Sequence, residues 1–160
     1  MANLLNNKNL KTLFGVSIER GGFSDFIAFP ERKDSLKKNW QNQDGQQVDL
    51  ATPHFEPRRF KLSCMLKATG TTAEEKKENF WIQYNGLFTE LKQPGHLTLY
   101  IDALGKSFNL FYKQQEGISK IGIEEKRFFI RFDLVFEETD PNVNIPDVFL
   151  VDENDNFLIA

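Results

Sequence analysis

The sequence predicts an α+β domain, mostly β, and three stretches carry that prediction. Arg59-Phe60-Lys61-Leu62-Ser63-Cys64-Met65-Leu66-Lys67 alternates polar and apolar residues with period two, as a half-buried strand does. Phe128, Ile130, Phe132, Leu134 and Phe136 repeat the pattern, opposite a mixed face of Phe129, Arg131, Asp133, Val135 and Glu137. Between them lies one helical segment, about 72–92, that places Phe80, Tyr84, Leu87, Phe88 and Leu91 in a stripe roughly 100° wide, fit to lie on a sheet.

The totals suit a single domain over 13–138, with a polar, mobile arm at 1–12 and a linker and terminal hairpin at 139–160. Sixteen Phe supply a core and argue against disorder. A formal net charge of -3 makes no case for nucleic acid or an anionic membrane as the main partner. The single cysteine, Cys64, excludes an intrachain disulfide and falls on the apolar side of its strand, as a small buried hydrophobe would. No apolar run is long enough to span a membrane, and the Asn-rich start lacks the basic and apolar regions of a signal peptide. A reducing cytoplasm is the expected place of synthesis.

Taken in order, Phe14, Val16 and Ile18 predict a first strand. Gly21-Gly22 turns it, and Phe23 to Phe29 is expected to return as its hairpin partner, stopped by Pro30. Residues 30–57 form a long irregular section with a strong Asp44-Gly45 turn and, as one option, a short helix over 34–39. Trp40 and Val48 flank that turn, so part of the loop should pack or be gripped by a partner. In the helix, Thr72 and Glu75 make a capping box, and Glu74 and Glu75 suit the positive end of the dipole. Trp81 sits at the edge of the apolar stripe and Ile82 on the far side. Pro94-Gly95 closes the helix. Segments 97–102 and 107–112 then pair across Ala103-Leu104-Gly105-Lys106, with Phe108, Leu110 and Tyr112 inward and Gly105 left-handed. Gln114 to Gly117 reads as a turn into a weaker strand carrying Ile118, Ile121 and Ile123.

No catalytic constellation emerges. The two histidines, His54 and His96, have no nucleophile and orienting acid at useful spacing. Asp152-Glu153-Asn154-Asp155-Asn156 begins like a calcium loop, but Phe157 stands where that loop needs glycine, so a polar turn is the expectation. The strand-to-helix connection carries one glycine and no phosphate-binding fingerprint. Catalytic, metal and cofactor residues are therefore expected to be none. Arg58-Arg59 beside Lys61, with Arg59 and Lys61 outward, is either a solvated face or a contact with a neighbouring subunit. Ile82, alone or with Trp81, is either a lone exposed residue or part of an interface.

Several stretches resemble phage tail proteins of the distal-tail and tail-tube class. These are Asn39-Trp40-Gln41-Asn42-Gln43-Asp44-Gly45-Gln46-Gln47-Val48-Asp49-Leu50, the strand Pro57 to Cys64, and the helix end Leu87-Phe88-Thr89-Glu90-Leu91 followed by Pro94-Gly95-His96-Leu97-Thr98-Leu99-Tyr100. The order of loop, basic-started strand, helix and post-Pro-Gly strand is similar to the N-terminal domain of distal tail proteins, over residues 14–137. The resemblance implies an antiparallel β-sandwich or partly closed barrel flanked by one α-helix. It implies a non-enzymatic virion component that assembles into a hexameric ring with itself and with neighbouring tail proteins, with DNA only as passenger through the lumen. Before assembly it would reside in the host bacterial cytoplasm. Larger distal tail proteins carry a second, C-terminal domain that these residues do not match. On this reading Trp40, Arg58, Arg59 and Ile82 are the expected subunit-interface residues. The alternatives are a tube or tip component of a contractile secretion or injection system, and a small-molecule-binding β-barrel with a Phe-lined interior.

Overall fold

The computed structural model describes residues 2–35, 37–38, 41, 44, 47–48, 51–119 and 127–141. Its centre is the pairing of two long strands, β6 (Arg58–Lys67) and β9 (Phe129–Glu138). They run antiparallel in unbroken register from Arg58 opposite Glu138 to Lys67 opposite Phe129. The register sets Phe60 beside Phe136, Leu62 beside Leu134, Cys64 beside Phe132 and Leu66 beside Ile130, so two alternating sequences merge into one apolar face. The strands β7 (Leu97–Ile101) and β8 (Lys106–Ser119) extend that face with Leu97, Leu99, Ile101, Phe108 and Leu110, all buried.

The other elements are β1 (Leu4–Leu5), β2 (Lys8–Asn9), α1 (Leu10–Phe14), β3 (Val16–Ile18), β4 (Lys37–Lys38), β5 (Gln47–Val48) and α2 (Ala73–Leu91). The main sheet has seven strands in the order β2-β1-β7-β8-β9-β6-β3, every neighbour antiparallel, and β4 pairs with β5 apart from it. The predicted fold class, α+β and mostly β with one flanking helix, is the observed one.

α2 follows its sequence signals. Thr72 Oγ1 accepts from the Glu75 amide, and Glu75 Oε2 accepts from the amides of Thr71 and Thr72 and the Thr71 hydroxyl. Phe80, Leu87 and Leu91 are buried against the sheet, and the Tyr84 hydroxyl donates to Gln115 Oε1 at 3.0 Å. Phe88 departs from expectation in being half exposed, at the edge of the space that it lines with Leu91, Tyr112 and Leu134. Replacing Thr72 by Ala is expected to cost about 1 kcal/mol in thermal unfolding. The Thr71 hydroxyl bond, then the two amides, hold the Glu75 carboxyl below its usual range. A depressed carboxyl contributes stability above its unfolded value and loses it as pH falls through the folded one. The melting temperatures of the native chain and Glu75→Gln should therefore differ at neutral pH and converge in acid.

Four expectations are corrected. The arm expected at 1–12 is built into the fold. Leu4-Leu5 pairs with Leu99-Tyr100, Leu5 and Leu10 are buried, and Asn6-Asn7 makes the hairpin turn with φ of 49° and 64°. Asparagine is the ordinary residue that best tolerates that region, so the Asn-rich start encodes a turn. Second, Phe14 ends a helix and does not start a strand. Asn9 caps α1 by accepting from the amides of Lys11 and Thr12, and Gly15 ends it at φ 64°. A Cβ on Gly15 would stand 2.7 Å from the Lys67 carbonyl oxygen, so no other residue fits without a shift.

Third, the Phe23–Phe29 hairpin partner does not form. β3 pairs with β6, and Ser24–Ile27 coils into a 3-10 turn that buries Phe26. Its Asp25 carboxylate accepts from the Lys61 amide at 3.1 Å, an alternative to strand pairing. Fourth, Gln114–Gly117 does not reverse the chain. β8 runs on to Ser119 with two bulges, between Tyr112 and Gln114 and between Glu116 and Ser119, and Gly117 takes φ 60° in the second. Within 30–57, Lys37-Lys38 is strand where a helix over 34–39 was one option. The segment's ends are tied by Lys33 N–H to the His54 carbonyl and Glu56 N–H to the Glu31 carbonyl, both 2.8 Å. Trp40, Ile121, Ile123 and the terminal hairpin lie outside the described residues. Gly105 is left-handed as expected, at φ 61°.

Candidate subunit interface

The outward face of β6, β8 and β9 is laced with opposite charges. Lys61 Nζ lies 3.1 Å from Glu116 and 3.7 Å from Asp133, Ser63 Oγ donates to Asp133 at 2.7 Å, Arg131 meets Glu19 at 2.7 Å, and Lys113 meets Glu137 at 3.4 Å. The Glu116 hydrogen bond raises the Lys61 ammonium, and the same bond lowers the Glu116 carboxyl. Both side chains remain partly open to solvent, which screens the pair. Arg59 stands on this face opposite Glu137, exposed as its strand position dictates. Val135, on the same side, is nonetheless buried, which makes this a half-covered surface as its mixed composition foretold.

Arg58 belongs elsewhere. It shares the parity of Phe60, so its side chain turns inward, and it is 11% exposed beside a Glu138 side chain that is 0% exposed. Its Nε reaches Glu138 Oε2 at 2.5 Å, Nη2 reaches Oε1 at 3.0 Å, and Nη1 donates to the Ala28 carbonyl at 2.6 Å. The guanidinium lies 4.8 Å over the Phe60 ring. Lys106 is near, over the Phe108 ring at 5.4 Å. Burial first, then the Arg58 charge, lowers its ammonium, while Glu138 opposes them. Arg58 is thus held by partners within its own chain.

Ile82 is exposed on the solvent side of α2, as its helical position requires. Of the expected contact residues that the structure describes, Arg58, Arg59 and Ile82 do not form one cluster, and Trp40 lies outside the described residues. Trp81, weighed with Ile82 as a possible contact, is half exposed, and the structure also shows exposed apolar residues that sequence reasoning left aside: Phe29, 89% exposed, with Ile27 beside it, and Phe88 on α2. For Phe29 a signal existed, since it stands directly before Pro30.

Cys64 is 1% exposed, and burial pushes its thiol well above the ordinary range, as an inert core residue. His96 Nε2 lies 3.1 Å from Thr139 Oγ1, at a surface groove of about 390 Å³ shared with Asn109 and Asp140. Between Tyr84, Leu87, Tyr112 and Phe132, under α2, the interior leaves only about 10 Å³ of space. No group of three or more metal-ligating side chains is found among the described residues.

No family model and no curated protein matches this sequence. Its fold, however, is similar to that of SPP1 Dit. The two superpose with a TM-score of 0.58 over 88% of this chain and 50% of that one, at 13% identity. The chain spans half the length of Dit, which is described as a paradigm of the hub adsorption apparatus in phages infecting Gram-positive hosts. The expected likeness to the phage-tail class therefore holds at the level of fold.

Proposed function

We propose that this chain is a structural component of a phage or prophage tail, forming a ring in the tail tube or at the distal tail. The observation that carries this reading is the Dit-like fold across 88% of the chain. Its work is geometric: the β6–β9 sheet is a rigid wall, and surfaces on its flanks join neighbouring subunits and other tail proteins. DNA would pass through the lumen as cargo, and the balanced charges of the outward sheet face offer it no strong basic grip. The protein would belong to the virion tail after assembly and to the host bacterial cytoplasm before it. Trp40, Arg58, Arg59 and Ile82 remain proposed contacts.

Light scattering over a wide concentration range, with negative-stain images of the peak, tests the reading. Closed hexameric rings, or stacks of them, are the expected result. A monomer at every concentration would count against it.

A further inference from the structure

A sheet that does not close on itself ends in strands whose outer amides and carbonyls can pair with another chain. The two ends of the seven-stranded order lie beside β7 and β6, and both are shut in the same way. Alternation along β7 turns the amides of Thr98, Tyr100 and Asp102 away from β8. β1, two residues long, sets Leu4 opposite Tyr100 and reaches no further. The amides on either side are taken by asparagine side chains. Asn6 Oδ1 accepts from Thr98 at 3.0 Å, and Asn3 Oδ1 accepts from Asp102 at 2.9 Å.

At the other end, β3 is three residues long and faces Cys64 to Leu66 of β6. The Lys67 amide donates to the Gly15 carbonyl and the Ser63 amide to the Gly22 carbonyl, both at 3.0 Å. Past that point the chain coils into the 3-10 turn. The next amide on this side, that of Lys61, donates to the Asp25 carboxylate at 3.1 Å. The outermost strands, β2 and β3, are themselves too short to template a ladder, and Lys8 of β2 is tied to Glu90.

Asn3, Asn6 and Asp25 thus each stand where a covering strand runs out. None of them fills the core: Asp25 is exposed, and Asn3 and Asn6 are half-buried. An amide at such a place bonds to water or to a strand of another molecule unless an oxygen of its own chain is fixed beside it. We propose that these three residues are edge caps, which hold the outer amides of β7 and β6 within the chain and keep copies from joining by continuing the sheet through these ends. The proposal goes beyond the ring reading and does not depend on it. Together the two leave side-chain surfaces, and not strand pairing at these ends, to join one copy to the next.

The test is amide hydrogen exchange and sedimentation of the full chain, dilute and concentrated, with Asp25→Ala and with Asn3→Ala/Asn6→Gly. Glycine at position 6 keeps the turn at φ 49° and removes only the cap. In the native chain the amides of Lys61, Thr98 and Asp102 should be protected when dilute and no slower when concentrated. Each variant should speed exchange at the amides it uncaps by about tenfold, a change of ~1.4 kcal/mol. As concentration rises, the variants should grow to species larger than the native chain forms, and the freed amides should slow again as strands of other copies take them. Asp25→Asn and Asn6→Asp keep an acceptor oxygen and should match the native chain in both measurements. Thr72→Ala, which loses a helix cap and opens no edge, should keep the native size. Fast exchange at the three amides in the native chain would overturn the proposal. So would their slowing as the native chain assembles, or uncapped variants that stay at native size at every concentration. A native chain that is always monomeric would overturn the ring reading and not this one, since the variants are compared with it in either case.

Discussion

Glu138→Ala should destabilise the domain by about 3–5 kcal/mol, the range for removing one partner of a buried ion pair. The Glu138 side chain is 0% exposed and accepts two bonds from an Arg58 that is 11% exposed. Removing the carboxylate leaves a guanidinium in a site closed by Phe60 and the Ala28 carbonyl, with Lys106 as a second cation nearby. Arginine cannot shed its proton to escape that cost. The effect would appear as a lower urea midpoint with an unchanged slope. The paired replacement Arg58→Met with Glu138→Leu should recover most of the loss, because no charge is then left without a partner. If Glu138→Ala cost no more than a surface pair, about 0–1 kcal/mol, the bridge would be solvated and its burial irrelevant.

The same pair shows how far the sequence could be read. β6, α2, β7 and β9 were legible because long runs with a clean period leave little choice of structure. Arg58 and Glu138 continue those periods by one step at each end, with Arg58 in the parity of Phe60 and Glu138 in that of Phe136. Charge at a strand end reads as solvent-facing, and only the register that sets Arg58 opposite Glu138 reveals that each is buried by the other. Residues 2–12 were obscured by composition, since the buried leucines, Leu5 and Leu10, stand five apart in an Asn-rich stretch, and Asn6-Asn7 signals a turn only once strands flank it. The Phe23–Phe29 segment had strand-like apolar spacing, but β3 had already found its partner in β6, a long-range choice that no local pattern announces. Gln114–Gly117 misled in the other direction, because bulges absorb polar and glycine residues inside a strand that composition alone would end. For the candidate interface, helical position identified Ile82 as outward, but exposure of Phe29 depends on how the 3-10 turn is anchored, which is a tertiary property.

Phe60→Ala should cost a comparable about 3–5 kcal/mol, through lost burial and the cavity left behind. Phe60 is 1% exposed. Its ring stacks on Phe26, meets Phe108 edge-on with centroids 6.2 Å apart, and lies under the Arg58 guanidinium. Against a typical total of about 5–15 kcal/mol, such a loss puts a domain close to unfolding at physiological temperature. Phe60→Leu keeps most of the volume and should cost less. Because Phe60 and Glu138 both act on Arg58, the double variant Phe60→Leu/Glu138→Ala should lose less than the sum of the single losses.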